Sequence, residues 1–208
     1  MRIVIADDHP VVRRGLRAIV EDALLPADVH EAGNAAELLT LVRKREPDVV
    51  LLDIAMPGRS GLEALKELRR EHPKIPMLVL SIHSADEFAV RSIKAGASGY
   101  LTKDSAPEEL VDAIRTVVAG RRYLTPSVAE RLASAVESDA KGAPHEMLSD
   151  REFHVLRMLA AGKTNGEVAG ELALSAKTIS TYRTRTLRKM GMRTNAELAQ
   201  YAVRHGLV

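Results

Sequence analysis

The sequence predicts an α/β domain with a five-stranded, parallel, doubly wound sheet, followed by a smaller all-α domain. Over residues 1–120, five short β-type runs alternate with helical patterns, which is typical of a parallel sheet covered by helices. From residue 147 onward the pattern is helical only. Charge divides the chain similarly, because residues 1–120 carry 16 basic and 19 acidic side chains and residues 121–208 carry 14 and 9. A basic second domain favours a polyanionic partner.

Composition excludes several function classes. The 208 residues include no Cys, so disulfides, thiolate metal sites and a cysteine nucleophile are excluded. Aromatic residues make up 3% with no Trp, which argues against a base-stacking platform for single strands. No apolar run approaches the roughly 20 residues needed to span a bilayer. The N-terminus becomes acidic at Asp7, too early for a secretory signal, so we expect no membrane partner and a cytoplasmic location.

The elements of the first domain follow from residue patterns. Strands are predicted at 3–5, 29–31, 49–52, 77–80 and 98–101, and three of these runs are continuously apolar, as expected for strands buried on both faces. Helical spacing places Leu62, Leu65 and Leu68 on one face. A capping box at residues 105–108 is expected to open the last helix of this domain, and Gly120 to end it. Five alternating strands and helices require right-handed crossovers.

Residues 121–146 break the alternation and are predicted to be a linker with a short helix. Thr125-Pro126 is expected to start that helix, which runs through Val136, and residues 138–144, with Gly142 and Pro144, are expected to form a linker. Residues 147–208 then form four helices, with S/T-x-x-E capping boxes predicted at Ser149, Thr164 and Thr194. A longer helix is expected from about residue 176 to 190, with a cap at 175 and a glycine stop at 191.

Polar residues end four of the predicted strands. These residues are Asp7, Asp8, Asp53, Ser81 and Lys103. Because the carboxyl ends of parallel strands share one edge of an open sheet, the five residues should converge on one pocket. Each residue alone has an ordinary explanation, as a helix cap, a turn residue or a surface cation. The conjunction at strand-end spacing is what indicates a site.

Three carboxylates in one pocket repel each other, and a divalent cation relieves that repulsion. Hard oxygen ligands suit Mg²⁺. The cation also shields an anionic substrate from an attacking carboxylate, so phosphoryl transfer to an Asp becomes plausible chemistry. Lys103 would neutralise developing charge, and Ser81 would hydrogen-bond a phosphoryl oxygen.

Residues 1–120 resemble the receiver domain of two-component response regulators, which has a flavodoxin-like fold. The matching pieces are Asp7-Asp8-His9-Pro10, Leu52 to Gly58, Leu80-Ser81, and Lys103 after Gly99-Tyr100-Leu101-Thr102. The resemblance implies that Asp53 accepts a phosphoryl group from a sensor histidine kinase. It implies that Asp8, Asp53 and the backbone carbonyl of Ala55 hold Mg²⁺, with Asp7 supporting through water. Ser81 and Lys103 would then sense the phosphoryl group, and Tyr100 would change rotamer with them.

The basic end of the chain has the form of a helix-turn-helix between residues 168 and 190. In its second helix Ile179, Tyr182, Leu187 and Met190 are expected to face inward. A solvated surface helix is the alternative, but a helix with small hydroxyl side chains flanked by cations can enter the major groove and meet bases and phosphates. The side chains left largely outward are Lys177, Ser180, Thr181, Thr184, Arg185 and Arg188, with Arg183 beside them.

Residues 147–208 resemble the LuxR-type helix-turn-helix domain of the NarL/FixJ group. The matching pieces are Leu148 to Glu152, Leu156 to Gly162, Thr164 to Ala169, and Leu174 to Ile179. The resemblance implies that the last helix pairs two copies into a homodimer. It also implies that Ser180, Thr181 and Thr184 face bases in double-stranded DNA. The residues that would serve mainly the DNA backbone are Lys177, Thr178, Arg183, Arg185 and Arg188.

The combined prediction is a DNA-binding response regulator and not an enzyme, in which phosphorylation favours a dimeric form that controls transcription. Two alternatives stay open. A phosphatase of the haloacid-dehalogenase type also uses an Asp nucleophile and Mg²⁺, but it normally needs a second Asp where this chain has Ala55. A DNA-binding or scaffold protein with a vestigial pocket would work without phosphorylation, which the intact acids and Lys103 argue against.

Overall fold

A computed structural model of the chain describes residues 1–82, 87–137 and 143–208. The chain divides into two compact units, Met1–Ala133 and Ser134–Val208, which are treated in turn. Among the helices of the described ranges, none combines the length and apolar character needed to cross a bilayer.

The first unit contains a five-stranded parallel sheet in the order β2-β1-β3-β4-β5, which confirms the predicted α/β fold. The strands are β1 (Arg2–Ala6), β2 (Asp28–Ala32), β3 (Val49–Asp53), β4 (Met77–Ser81) and β5 (Gly99–Thr102). The helices are α1 (Pro10–Ala23), α2 (Ala35–Lys44), α3 (Gly61–Glu71), α4 (Glu87–Lys94) and α5 (Pro107–Val118). Every residue of β1, β3 and β4 is buried, which explains their unbroken apolar runs.

The core of this unit lies on both faces of the sheet. Alternate strand residues such as Ile3 and Leu51 form one cluster with Val20 of α1 and Ile114 of α5. The intervening strand residues, such as Val50, are equally buried, so helices cover the opposite face as well. Burying both faces leaves functional polar groups only at the strand ends, where the loops begin.

The start of α5 corrects one expectation. The predicted capping box at residues 105–108 is wrong, because the N-cap is Ala106 and no side chain caps the helix. Pro107 occupies the first helical position, which suits its fixed φ and missing N–H, so Ser105 falls one residue too early to cap. Gly120 does follow the helix with a φ of +78°, as expected of a glycine stop. A complete capping box at Ser60–Glu63, which is not among the predicted ones, opens α3.

Helix α6 (Pro126–Glu137) occupies the stretch where a short linker helix was expected. Before it, Tyr123 donates its backbone N–H to the Ser98 carbonyl at 3.0 Å and bridges Gly99 of β5, so ordered contacts with the sheet continue beyond residue 120. Residues 138–142 of the predicted linker segment 138–144 lie outside the described residues. Its last residue, Pro144, begins a short 3-10 helix (Pro144–Met147).

The described residues of the second unit form helices and no strand, as predicted. Its helices are α7 (Asp150–Ala160), α8 (Asn165–Glu171), α9 (Ala176–Met190) and α10 (Asn195–Arg204). The capping boxes at Ser149 and Thr164 are confirmed, and α9 has the predicted Ser175 cap and a left-handed Gly191 at its end.

The third predicted capping box is only half formed. The Thr194 side chain accepts from the Glu197 backbone N–H, but the Glu197 carboxylate accepts from Arg193 and not from Thr194. The backbone explains the difference, because φ is −131° at Thr194 and −62° at Ser149. Because the chain is more extended at Thr194, the Glu197 carboxylate accepts from the backbone N–H of Arg193, one residue before the N-cap, in place of the N–H of Thr194.

Helix α9 packs against α7 and α8 through apolar and polar contacts. Ile179 joins Val155, Leu159 and Val168 in one cluster. The Glu152 carboxylate, 5% exposed, lies 2.6 Å from the Lys189 ammonium. Burial alone would raise the pKa of Glu152, but hydrogen bonds from Lys189 and the Ser149 N–H outweigh it and lower that pKa.

The turn between α8 and α9 contains a strained residue. Ala173 has a φ of +50°, a region that costs an L-residue with a Cβ about 1–2 kcal/mol and glycine almost nothing. We expect Ala173→Gly to raise the free energy of unfolding by about 0.5–1 kcal/mol, after the greater flexibility of unfolded glycine is subtracted. Urea unfolding of the full chain, followed by circular dichroism, measures this change. An unchanged or lower stability would contradict the strain assigned to this turn.

Candidate functional site

The strand ends of the first unit bring acids and a lysine together. Asp53 ends β3, Asp7 and Asp8 follow β1, and Lys103 follows β5. The Lys103 Nζ lies 2.7 Å from Asp53 Oδ2 and 2.6 Å from Asp7 Oδ2, so one ammonium contacts two carboxylates that are 46 positions apart in the sequence. This cluster of Asp7, Asp8, Asp53 and Lys103 is called the acidic pocket below.

Burial dominates the electrostatics of the acidic pocket. Asp7 and Asp53 are each 1% exposed. Burial raises the pKa of Asp53 above its usual value, and the nearby Asp7 adds to this, whereas Lys103 and the Ala55 N–H lower it by less. Burial also opposes the charge on Lys103, but the two carboxylates outweigh it and raise the Lys103 pKa. The single positive charge of Lys103 therefore does not fully compensate the negative charges of the three carboxylates. A further cation bound in the pocket would compensate them.

Backbone groups orient the carboxylates. The Ala55 N–H donates to Asp53 Oδ1 at 3.0 Å, and the His9 N–H donates to Asp7 Oδ1 at 2.8 Å. Both bonds run from the second residue after the Asp, within the tight turn that leaves each strand. These turns fix where the carboxylates point, so their geometry is set locally once the strands are in register.

The carboxylates of the acidic pocket and the adjacent His9 form a donor set that suits a metal ion. Asp7, Asp8, His9 and Asp53 each offer a ligand atom, and these atoms lie within 4.8 Å of one another. Asp8 Oδ1 is buried, and within the described residues it makes no hydrogen bond but lies 2.9 Å from the Nδ1 of His9. A buried carboxylate is costly unless its charge is compensated, and oxygen donors of this kind suit Mg²⁺. The pocket can therefore hold a divalent cation.

The remaining strand-end residues lie beside the pocket. Ser81 ends β4, is fully buried, and accepts the Lys103 backbone N–H through its carbonyl at 2.7 Å. Tyr100 is 1% exposed in the middle of β5. Ile82, immediately after Ser81, is 71% exposed. The backbones of Ser81 and Lys103 are thus joined by a hydrogen bond, and Tyr100 is buried in β5, the strand that pairs with β4.

Two residues that support the pocket were missed from the sequence. Arg13 of α1 donates to the Asp7 carbonyl at 2.6 Å and to Glu31 of β2 at 3.3 Å, which ties the Asp7 turn to the helix after it. Gly61 begins α3 directly against the backbone of Asp53, where an added Cβ would meet the Asp53 carbonyl oxygen at 1.9 Å. A glycine at the first position of a capped helix is a weak sequence signal, and only the packing shows why it is needed.

In the second unit, α9 exposes a basic and hydroxyl-rich face, called the α9 face below. Ile179, Leu187 and Met190 are buried as expected, and Tyr182 is half-buried against the same cluster. The members of this face, all of them exposed, are Lys177, Ser180, Thr181, Thr184, Arg185 and Arg188. These are the six residues that were expected to point largely outward.

Three side chains of α9 have roles that periodicity did not predict. Thr178 is half-buried, and its hydroxyl lies 2.8 Å from the Ser175 hydroxyl at the cap. Arg183 is also half-buried and donates to Asn195 of α10 at 2.7 Å. Thr186, which was not assigned inward, is fully buried and donates to the Glu152 carbonyl at 3.3 Å. Polar side chains at inward positions carry no hydrophobic signal, which is why the pattern missed them.

The hydroxyls of the α9 face are partly committed to the helix. Thr181 and Thr184 donate to the carbonyls of Lys177 and Ser180, at 3.0 and 2.9 Å. Their oxygen lone pairs stay available as acceptors on the exposed face. The face therefore offers cations for phosphates and small polar groups for base edges, which is the chemistry that a recognition helix needs.

Comparisons with known protein families agree with both sites. Residues 3–115 match the family described as the response regulator receiver domain. Residues 146–202 match the family described as bacterial regulatory proteins, luxR family. Together the two matches include every residue of the acidic pocket and the α9 face.

Individual relatives match the chain along its whole length. The chain is 39% identical over 209 residues to the response regulator GacA of Pseudomonas aeruginosa, covering 100% of this chain and 98% of the relative. It is 36% identical over 208 residues to the response regulator UvrY of Escherichia coli, covering 100% and 95%. Among solved structures, RcsB of Salmonella enterica serovar Typhimurium bound to the promoter rprA with the phosphomimetic BeF3⁻ has a TM-score of 0.64 and 27% identity, covering 97% of each chain.

Proposed function

This chain belongs to the two-component response regulators of the NarL/FixJ group, which are DNA-binding regulators of transcription, and we propose that Asp53 is its phosphoacceptor. The observation that carries the proposal is the contact of Lys103 with both Asp53 and Asp7 at the sheet edge. A buried carboxylate beside an ammonium can attack phosphorus while charge on the phosphoryl oxygens is neutralised.

The proposed reaction takes the phosphoryl group from a sensor histidine kinase. An Asp53 carboxylate oxygen attacks phosphorus and forms an O–P bond, while the bond to the kinase histidine nitrogen breaks and its electron pair returns to that nitrogen. Asp8, Asp53 and the Ala55 carbonyl would hold Mg²⁺, and Asp7 would support it through water. When bound, Mg²⁺ neutralises charge that develops on the phosphoryl oxygens. Lys103 and the Ser81 hydroxyl would contact the transferred group.

We propose that phosphorylation acts through a shift between existing conformations. Ser81, Tyr100 and Lys103 are the proposed switch residues, because Ser81 and Lys103 are joined by a backbone hydrogen bond and Tyr100 lies buried in the adjoining strand. A phosphoryl group that contacts Ser81 and Lys103 would favour the conformation in which both reach it. The favoured state is proposed to be a homodimer that binds DNA.

The proposed domain division places the receiver at 1–120, the linker at 121–146 and the DNA-binding domain at 147–208. The α9 face would enter the major groove, with Ser180, Thr181 and Thr184 towards bases. The residues proposed to contact mainly phosphates are Lys177, Thr178, Arg183, Arg185 and Arg188. Because the proposed target is double-stranded DNA and the matched family is described as bacterial regulatory proteins, we propose that the protein acts in the cytoplasm.

We do not favour a phosphatase. The position two residues after Asp53, where such an enzyme needs an acid/base carboxylate, is Ala55. Its backbone N–H instead orients Asp53. Multiple turnovers on a phosphate monoester by the purified chain would favour the phosphatase instead.

The phosphoacceptor can be identified directly. After incubation of the full chain with acetyl phosphate and MgCl2, we expect mass spectrometry to find one phosphoryl group, located in the peptide that contains Asp53. Labelling should depend on the divalent ion, because without it the carboxylates repel the anionic donor. A phosphoryl group found only on another peptide would refute the assignment of Asp53.

DNA binding by the α9 face has a measurable electrostatic signature. We expect Arg188→Ala to weaken binding to a promoter fragment and to reduce the slope of log K against log salt by about 1, because one phosphate contact is lost. Arg70→Ala, which removes another exposed arginine, on α3, should leave the slope unchanged. Fluorescence anisotropy over a salt series measures both slopes. Equal slopes for Arg188→Ala and the native chain would show that Arg188 does not contact a DNA phosphate.

A further inference from the structure

The two threonines of the α9 face lie at its centre. Thr181 and Thr184 are three positions apart in the middle of α9, so they are neighbours on one side of the helix. Lys177 and Arg188 lie at a similar angle around the axis, one turn before and one turn after them. The two cations are about 16 Å apart along the helix, so they can reach phosphates on both sides of a major groove about 12 Å wide. With the cations on phosphates, the threonines would lie over the base edges.

The hydroxyl hydrogens of both threonines are used within the helix. Thr181 donates to the Lys177 carbonyl at 3.0 Å, and Thr184 donates to the Ser180 carbonyl at 2.9 Å. A hydroxyl has one donor and two acceptor lone pairs, so neither side chain has a further donor to offer. Because each oxygen is turned towards the preceding turn of the helix, the methyl group on the same Cβ is turned away from it. Each threonine therefore offers a base an acceptor and a methyl group.

The edge of an A·T pair in the major groove matches these two groups. Adenine presents an N6 amino donor, and thymine presents a C5 methyl group that small apolar groups contact. Guanine presents only the acceptors N7 and O6, which need a donor from the protein. Cytosine has an amino donor but no methyl group, so the methyl contact decides between A·T and G·C pairs.

We propose that Thr181 and Thr184 determine base specificity by reading A·T pairs, through contact of the threonine methyl groups with thymine methyl groups. The proposal rests on the proposed function, because it assumes that the α9 face enters the major groove. It adds the class of base pair that the two central positions prefer. Burying one methyl-sized group is worth about fourfold in affinity, so each thymine contact is expected to contribute about that factor.

Replacement of thymine by uracil, which lacks only the C5 methyl group, tests the proposal. Duplexes selected from a random library by the full chain, after treatment with acetyl phosphate and MgCl2, serve as the probe. Fluorescence anisotropy then compares the selected duplex with duplexes in which single thymines are replaced. The native chain is expected to bind about fourfold more weakly when a thymine under either threonine is replaced.

Matched variants separate the methyl group from the hydroxyl. Thr181→Ser keeps the hydroxyl and loses the methyl group, so at its own position it should bind the thymine and uracil duplexes equally. Thr181→Val keeps a methyl group and loses the hydroxyl, so it should still prefer thymine. Thr184→Ser and Thr184→Val test the second contact in the same way. The control is Thr40→Ser, which should keep the full preference, because Thr40 is an exposed threonine of α2 that donates to the Ala36 carbonyl at 2.8 Å.

The possible failures point to different claims. A selected duplex whose affinity is the same after every thymine replacement would overturn the reading of A·T pairs, and so would serine variants that keep the native preference for thymine. Both results leave DNA binding itself intact. A chain that selects no duplex at all would instead refute the DNA-binding face of the proposed function, and this inference with it.

Discussion

The Asp53→Asn variant is expected to take up no phosphoryl group from acetyl phosphate in the presence of Mg²⁺. An amide nitrogen or oxygen is a poor nucleophile for phosphorus, and the substitution also removes one carboxylate from the proposed ion site. Quantitative mass spectrometry of the intact chain measures the loss. Asp112→Asn, which changes an exposed acid on α5 whose side chain is 73% accessible, should be labelled as fully as the native chain.

Unfolding does not account for that expected loss. Because burial raises the pKa of Asp53, the ionised form is less favourable in the folded protein than in the unfolded chain. The stability contributed by protonated Asp53 is present at low pH and is lost as pH rises through its raised folded pKa. A neutral Asn avoids this loss, and the Lys103 ammonium keeps the Asp7 carboxylate 2.6 Å away as a partner. At pH 7 the variant should therefore unfold at a urea concentration no lower than the native chain. Labelling at the native level in Asp53→Asn would refute the phosphoacceptor assignment.

Gly61→Ala is expected to destabilise the first unit and to displace the phosphoacceptor. An added Cβ would lie 1.9 Å from the Asp53 carbonyl oxygen and 2.8 Å from the Cα of Ile54, and both contacts are with backbone that cannot rotate away. The Gly61 N–H also donates to the Ile54 carbonyl at 3.2 Å, which holds α3 against the end of β3. We expect a loss of about 3 kcal/mol in the free energy of unfolding, the upper range for overpacking.

The same substitution elsewhere in the unit provides the control. Gly15 lies inside α1, and a Cβ added there would meet no atom within 4 Å beyond the backbone of its own helix. Gly15→Ala should therefore raise stability by up to about 1 kcal/mol through helix propensity. Urea unfolding measures both variants, and labelling by acetyl phosphate reports whether Asp53 has moved. Equal stability and equal labelling of Gly61→Ala and the native chain would show that α3 can move away at little cost.

The sequence was sufficient where local chemistry decides the structure. Apolar runs identified the central strands β1, β3 and β4, because strands buried on both faces must be apolar throughout. Ser149, Thr164 and Ser175 were recognised as caps, because a side-chain oxygen satisfies backbone donors within one turn. The two failures at caps have equally local causes: Pro107 shifted the start of α5, and the extended backbone of Thr194 redirected Glu197.

The sequence by itself determined the two folds, the acids at the strand ends and the hydroxyl-rich cationic face of α9, because periodicity and strand-end position are properties of short segments. Only the tertiary structure decided that Lys103 contacts Asp7 as well as Asp53, that Arg13 holds the Asp7 turn, and that Gly61 must lack a side chain. Each of these contacts depends on how separate elements of the fold meet. Their distances follow from strand register and helix packing, which no local pattern specifies.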